Sequence, residues 1–256
     1  MQVALPSGGL ESYRSNSQRA RIATEAWAEH SLYCPNCDSL RLAPSPVNMP
    51  AIDFTCLKCD ALFQLKAQSR PFSRRINDAA YSSMVQAIRE NRTPNLYALH
   101  YDPAEWRVTN LTLIPNFAFP LSAIEKRKPL SSTARRAGWV GCNILLEAIP
   151  ADGRIAVITN GVPAAVNHVR KRYARVRPIQ RLKADQRGWT LDLLNAVRSL
   201  NKTEFSLSDV YTLEEKLTRL HPDNRHVREK IRQQLQVLRD MGLLRFEGAG
   251  RYRLRF

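Results

Sequence analysis

Four of the chain's five cysteines fall into two pairs, Cys34-Pro-Asn-Cys37 and Cys56-Leu-Lys-Cys59, with 18 residues between the pairs. A C-x2-C turn aims two thiolates at one point. Two such turns complete a tetrahedron with no open position, so the spacing predicts a zinc ion that is structural rather than catalytic. The competing arrangement is two disulfides, and thiols kept reduced in a cytoplasmic protein favour the metal. The fifth cysteine, Cys142, reads as a small buried filler.

A second group of residues brackets the second cysteine pair: Pro50-Ala51-Ile52-Asp53 before it and Gln64-Leu65-Lys66 after it. A metal-dependent phosphodiesterase needs an anionic ligand for magnesium, a second oxygen ligand, and a lysine beside the scissile phosphate. Asp53, Gln64 and Lys66 supply those types. If 51–55 and 61–66 are antiparallel strands turning at Cys56 and Cys59, these side chains project from adjacent positions, and zinc fixes the register of the strands that carry them. Taken alone, an aspartate followed by Gln-x-Lys matches many sequences and is compatible with ordinary polar strand positions.

The elements that must position these groups follow from periodicity. Ser15–His30 reads as a helix with Ile22, Ala26 and Trp27 on one side, and a second helix is expected over Asn77–Glu90 with Tyr81, Met84 and Ile88 as its buried stripe. Strands are expected at Leu96–Tyr101, Leu111–Ile114 and Ile155–Thr159. This mixture predicts an α/β or α+β first domain over residues 1–180. Between Arg170 and Arg187 the sequence carries a net charge of +7, read as a basic linker that contacts phosphate.

Residues 181–256 read as a second domain, a winged helix. Helices are expected over Trp189–Leu200 with Thr190 as cap, Ser208–Leu220, and Arg225–Met241, followed by a hairpin of Leu243–Phe246 and Tyr252–Phe256 around Gly248-Ala249-Gly250. In this helix-turn-helix variant the third helix enters the major groove. Arg228, Arg232, Gln233 and Gln236 are its candidates for DNA contact. Nine Lys/Arg against three acids from Arg225 onward favour DNA over a protein partner. The whole chain of 256 residues has a net charge of +16, far more than solubility requires and suited to a polyanion. No apolar run reaches the ~18 residues of a membrane span and no signal peptide is evident, so a cytoplasmic protein without membrane partners is expected.

Several stretches resemble the DpnI-type methyl-directed restriction endonucleases: Tyr13-Arg14-Ser15-Asn16-Ser17-Gln18, both cysteine pairs, Lys128-Pro129-Leu130, Thr133 to Trp139, Arg187-Gly188-Trp189-Thr190, and Glu229 to Asp240. The similarity runs nearly end to end. It implies a PD-(D/E)xK nuclease core with zinc followed by a winged helix, acting as a monomer on double-stranded DNA at GATC sites that carry N6-methyladenine. It also implies catalytic magnesium held by Asp53, Gln64 and the Leu65 carbonyl, with Lys66 as the motif lysine. Gln64 departs from the pattern, since the family usually has a carboxylate there and an amide oxygen is a weaker magnesium ligand. Glu25 on the first helix is a substitute carboxylate, against the plainer reading of a solvated helix residue.

Methyl recognition makes its own demand. N6-methylation replaces an exocyclic donor hydrogen in the major groove with an apolar group, so a reader gains by offering an aromatic wall. Trp139, flanked by Arg135, Arg136, Gly138 and Gly141, suits that role, with Trp189 as either a packing anchor or a second methyl contact. The rival functions are a catalytically inactive methyl-DNA reader or transcription regulator, and a toxin-like nuclease acting on RNA. Asp53 with Lys66 argues against the first, and a double-strand-binding winged helix against the second.

Overall fold

The computed structural model describes residues 1–46, 49 and 51–255. Pro50 and Phe256, which the motif and the second hairpin strand include, lie outside the described residues.

In chain order the elements are α1 (Asn16–Ser31), β1 (Ala43–Pro44), β2 (Phe54–Thr55), β3 (Leu62–Gln68), β4 (Arg75–Ala80), α2 (Tyr81–Arg89), β5 (Asn95–Asp102), β6 (Arg107–Ile114), β7 (Ile124–Lys126), β8 (Gly141–Leu145), β9 (Ile155–Thr159) and β10 (Val162–Pro163). Then follow α3 (Val166–Val176), α4 (Ala184–Ser199), β11 (Glu204–Ser206), α5 (Leu207–Tyr211), α6 (Glu214–Leu220), α7 (Val227–Asp240), β12 (Leu244–Gly248) and β13 (Arg251–Leu254). The chain is a mixed α/β protein, as its periodicities predict.

It divides into two compact units that interleave along the sequence: residues 1–76, 93–116 and 153–174 form one, and 77–92, 117–152 and 175–256 form the other. A sequence cut at 180/181 separates two contiguous modules, whereas in space two earlier segments join the C-terminal one.

The first unit is built on a sheet in the order β1-β2-β3-β5-β6-β9-β10. The β3–β5 pair is parallel, in register from Phe63 opposite Asn95 to Gln68 opposite His100. Its strands are dense in Leu, Ile, Val and Phe, and Phe63, Leu99, Leu111, Leu113 and Ile155 are fully buried. That is expected of strands covered on both faces.

The second unit holds a three-stranded sheet, β4-β8-β7, and the winged helix. The expected helix over Asn77–Glu90 begins only at Tyr81, because the residues before it extend as β4. The Tyr81 N–H donates to the Val140 carbonyl at 3.0 Å, tying the start of α2 to the segment before β8. Thr190 is no cap. It lies inside α4, fully buried, its hydroxyl 2.8 Å from the Gln186 carbonyl and 2.6 Å from the side-chain amide of Gln234. The second helix expected over Ser208–Leu220 is two, α5 and α6, and Ser206 caps the first in a reciprocal box with Asp209. The hairpin gains a third strand that periodicity misses: β11 pairs with β13, giving the order β11-β13-β12. At the turn, Gly248, Ala249 and Gly250 all have positive φ (88°, 48° and 71°), a path that two glycines make accessible.

The basic linker expected over Arg170–Arg187 is helical instead, running from α3 through a short 3-10 turn into α4. Arg187 is only 2% exposed, with hydrogen bonds to Asn91 Oδ1 at 2.9 Å and the Ile88 carbonyl at 2.8 Å. It closes the C-terminal end of α2 and is not available to phosphate. Among the described residues no helix is long and apolar enough to cross a membrane.

Candidate active site and nucleic-acid interface

The four cysteines converge. After α1 ends, with the Leu32 N–H donating to the Ala28 carbonyl, the chain turns back through Cys34, whose N–H donates to the Ser39 carbonyl at 3.2 Å. In the second turn the Cys56 and Ala61 backbones pair at 2.9 Å, and Asp60 at φ 54° completes the reversal. The four Sγ atoms lie within 4.8 Å of one another, with Cys34–Cys59 at 3.6 Å and Cys37–Cys56 at 3.5 Å. Thiolates at about 2.3 Å from zinc stand about 3.8 Å apart on a tetrahedron, so this cluster is compatible with a structural zinc ion. Burial pushes the Cys34 thiol well up. At Cys56 burial also opposes ionisation, but the N–H groups of Lys58 and Cys59 and the neighbouring thiols bring its pKa down to about 7. A ligand site needs such donors to favour the thiolate.

Arg170 supports the cluster from α3. Its guanidinium donates to the Cys34 carbonyl at 3.2 Å and the Ser39 carbonyl at 2.9 Å, and it stands 5.6 Å from the centroid of the Tyr33 ring. Net charge gave no hint of this role, since the same arginine counts toward a basic run.

Beyond the cysteine turn, β2 and β3 pair antiparallel with Phe54 opposite Phe63. The Asp53 N–H donates to the Phe63 carbonyl at 2.9 Å, extending the ladder one residue past β2. The Asp53 Oδ2 atom accepts the Leu65 N–H at 2.7 Å. Gln64 and Lys66 share the other face of β3 from Leu65, with Gln64 buried and Lys66 half-buried. The Asp53 carboxyl is pushed above its ordinary range, first by burial; the Leu65 N–H pulls it down, Glu25 pushes it up, and Lys66 and Arg21 pull it down. Asp53, the Leu65 backbone and the charge of Lys66 are thus brought together.

Glu25 joins them. A cleft of about 450 Å³ is lined by Arg21 and Glu25 of α1 together with Asp53, Leu65, Gln68 and Tyr101. Arg21 Nε holds Glu25 Oε1 at 2.7 Å. Glu25 is half-exposed and lines the same cleft as Asp53. The signal that could find it is the i, i+4 spacing of Arg21 and Glu25 on the helix that leads into the first cysteine pair.

The segment between β7 and β8 carries the other candidates. It is held as a compact excursion by backbone bonds from Arg127 to Gly141 (3.0 Å), Leu130 to Trp139 (2.9 Å) and Gly138 to Leu130 (3.1 Å). Trp139 is half-buried, while Arg135 and Arg136 are exposed. The Arg136 guanidinium stands 5.0 Å from the centroid of the Trp139 ring. Trp189, by contrast, is buried in α4 and stacked on His221 with centroids 3.8 Å apart.

On α7, Arg228, Arg232, Gln233 and Gln236 are all exposed, and Val227, Ile231, Leu235 and Leu238 form the buried stripe. Arg228 pairs with Glu214 at 2.7 Å and lies over Tyr211, whose hydroxyl accepts from Arg232 at 3.1 Å.

A mixed α/β body with a four-thiol cluster, joined to the helices α4 to α7 and a β-wing with an exposed basic face, defines a restriction-type DNA-binding protein. The model of the DpnI, Dam-replacing family matches residues 1–182, and that of the Dam-replacing helix-turn-helix domain matches residues 185–254. The chain belongs to the DpnI family.

Proposed function

We propose that the protein is a methyl-dependent restriction endonuclease that cleaves double-stranded DNA at GATC sites containing N6-methyladenine, working as a monomer in the cytoplasm. Residues 1–180 form the PD-(D/E)xK nuclease module and 181–256 the winged-helix module. The observation that carries the reading is the Asp53 carboxylate anchored on the Leu65 N–H, with Lys66 next on the same strand.

The donors fit a hard divalent cation. Asp53 and Glu25 are two carboxylates on one cleft, burial and Glu25 both raise the cost of ionising Asp53, and a cation relieves that cost. Asp53, the Gln64 amide oxygen and the Leu65 carbonyl would hold magnesium, with Glu25 restoring the charge that Gln64 lacks. When bound, the ion supplies Lewis-acid chemistry for phosphodiester hydrolysis. The Leu65 N–H fixes the Asp53 carboxylate, Lys66 sets positive charge beside the scissile phosphate, and the cysteine cluster holds the turn between their strands. Arg135, Arg136 and Trp139 face the methylated bases, while Arg228, Arg232, Gln233 and Gln236 contact DNA from α7.

The test is incubation of methylated and unmethylated plasmid with magnesium. Cutting of the methylated plasmid alone is expected, and Asp53→Ala should bind methylated DNA without cutting it. Full cleavage by Asp53→Ala rejects the assignment. One observation favours a second reading, a catalytically inactive reader: the amide at Gln64. Gln64→Glu separates the two, because it lowers the magnesium requirement of an active enzyme, whereas a reader is silent before the change.

A further inference from the structure

The space beside Gly141 is filled by Trp139. A Cβ built on Gly141 would lie 2.7 Å from both Cη2 and Cζ3 of the Trp139 indole and 3.5 Å from Arg127 Cδ. Such separations do not occur between real carbon atoms, so any side chain at 141 must displace the ring. Gly141 is itself buried at the first position of β8, where its neighbours Cys142 and Asn143 pair with Lys126 and Glu125 of β7. The backbone at 141 is therefore fixed and the indole must move. The ring has one edge against this backbone, and Arg136 lies over it.

We propose that Gly141 is a specificity-determining position: its missing side chain seats the benzo edge of Trp139 and thereby sets where the aromatic wall for the N6-methyl group stands. The glycine serves the indole, not the approach of DNA to the backbone. This rests on the reading of Trp139 as the methyl contact. An apolar contact with one methyl group acts over a few tenths of an ångström, since dispersion falls steeply with separation. A displaced indole therefore loses discrimination while the cationic contacts that give general affinity persist.

The experiment uses full-length protein blocked by Asp53→Ala and measures affinity for fully methylated and unmethylated GATC duplexes. Gly141→Ala should lower the methylated-to-unmethylated ratio about fivefold, the equivalent of roughly 1 kcal/mol, with little change on the unmethylated duplex. In the Trp139→Phe background the phenyl ring lacks the Cη2 and Cζ3 atoms that the new Cβ would meet, so Gly141→Ala should change nothing there. That second comparison holds even if Gly141→Ala alone folds poorly. Retention of the full ratio by Gly141→Ala, or an equal fall in both backgrounds, overturns the inference while leaving Trp139 as the methyl contact. A full ratio in Trp139→Ala overturns the underlying reading and the inference with it.

Discussion

The run from 170 to 187 and the segment from 228 onward are both rich in arginine, yet Arg170 and Arg187 differ from the arginines of α7 in what receives their donors. Arg170 and Arg187 donate to backbone carbonyls and, for Arg187, also to a side-chain amide: at Cys34 and Ser39 in one case and at Ile88 and Asn91 in the other. Arg228, Arg232 and Arg239 meet surface carboxylates or a tyrosine hydroxyl at Glu214, Glu229, Asp240 and Tyr211. A carbonyl inside a fold has no substitute partner. A surface carboxylate is readily replaced by a phosphate, because exposed ion pairs contribute little. A count of charges cannot tell the two apart, but the receiving atom can.

The comparison breaks most visibly at the cluster that Arg170 supports. Cys56→Ser should lose bound metal and several kcal/mol of stability together, since a closed site couples metal affinity to folding; metal content and thermal melting of the same sample check it, and a stable, metal-free, active variant would sink the structural role. Next in size, Arg187→Ala should cost about 3 kcal/mol by leaving the Ile88 carbonyl and Asn91 without their buried partner. Arg170→Ala should cost about 2 kcal/mol and weaken zinc retention against a chelator. For both, the salt dependence of DNA binding should stay as in wild type.

Arg232→Ala should do the reverse, melting within about 0.5 kcal/mol of wild type while the slope of log affinity against log salt falls by about one. An unchanged slope would place Arg232 among the inward-directed arginines. The smallest effect concerns acid. Lys202, foremost, and then the Ser206 N–H and hydroxyl hold the Asp209 carboxyl well below the usual range. A depressed folded-state pKa gives stability that is present above the unfolded value of about 3.9 and is lost as pH falls through the folded value. Asp209→Asn should therefore melt below wild type at neutral pH, and the gap should narrow only in strong acid. A gap that stays constant down to that range would assign Asp209 a purely packing role.

What could be read from the residues has a common character: it is local. The cysteine spacing, the helix around Trp27 and the strand Ile155–Thr159 each follow from residues within a short window. Asp53 and Lys66 could be paired on paper because one turn joins their strands. The burial of Arg187 could not, since its partners Ile88 and Asn91 lie at and just beyond the end of α2, nearly a hundred residues earlier. The Thr190 hydroxyl suits a cap, and its partners, Gln186 one turn back and Gln234 on α7, are set by the fold. The strand β4 was hidden under a helical stripe that Tyr81, Met84 and Ile88 do form, and its pairing with β8 depends on residues far downstream. The seat of Trp139 is the sharpest case: Gly141 is legible as a glycine, but the ring that fills its space is not.

Interleaving of the second unit also has a temporal consequence. Ile88 and Asn91 find the guanidinium that completes their hydrogen bonds only when residue 187 has been made, and Thr190 finds Gln234 later still. During synthesis the segments 77–92 and 117–152 must therefore wait, exposed, for the last third of the chain, a long-range closure that slows folding and invites misassembly. A ribosome that stops before α4 releases a chain in which this unit lacks its principal helices, so a truncated product arrives without its helix-turn-helix domain.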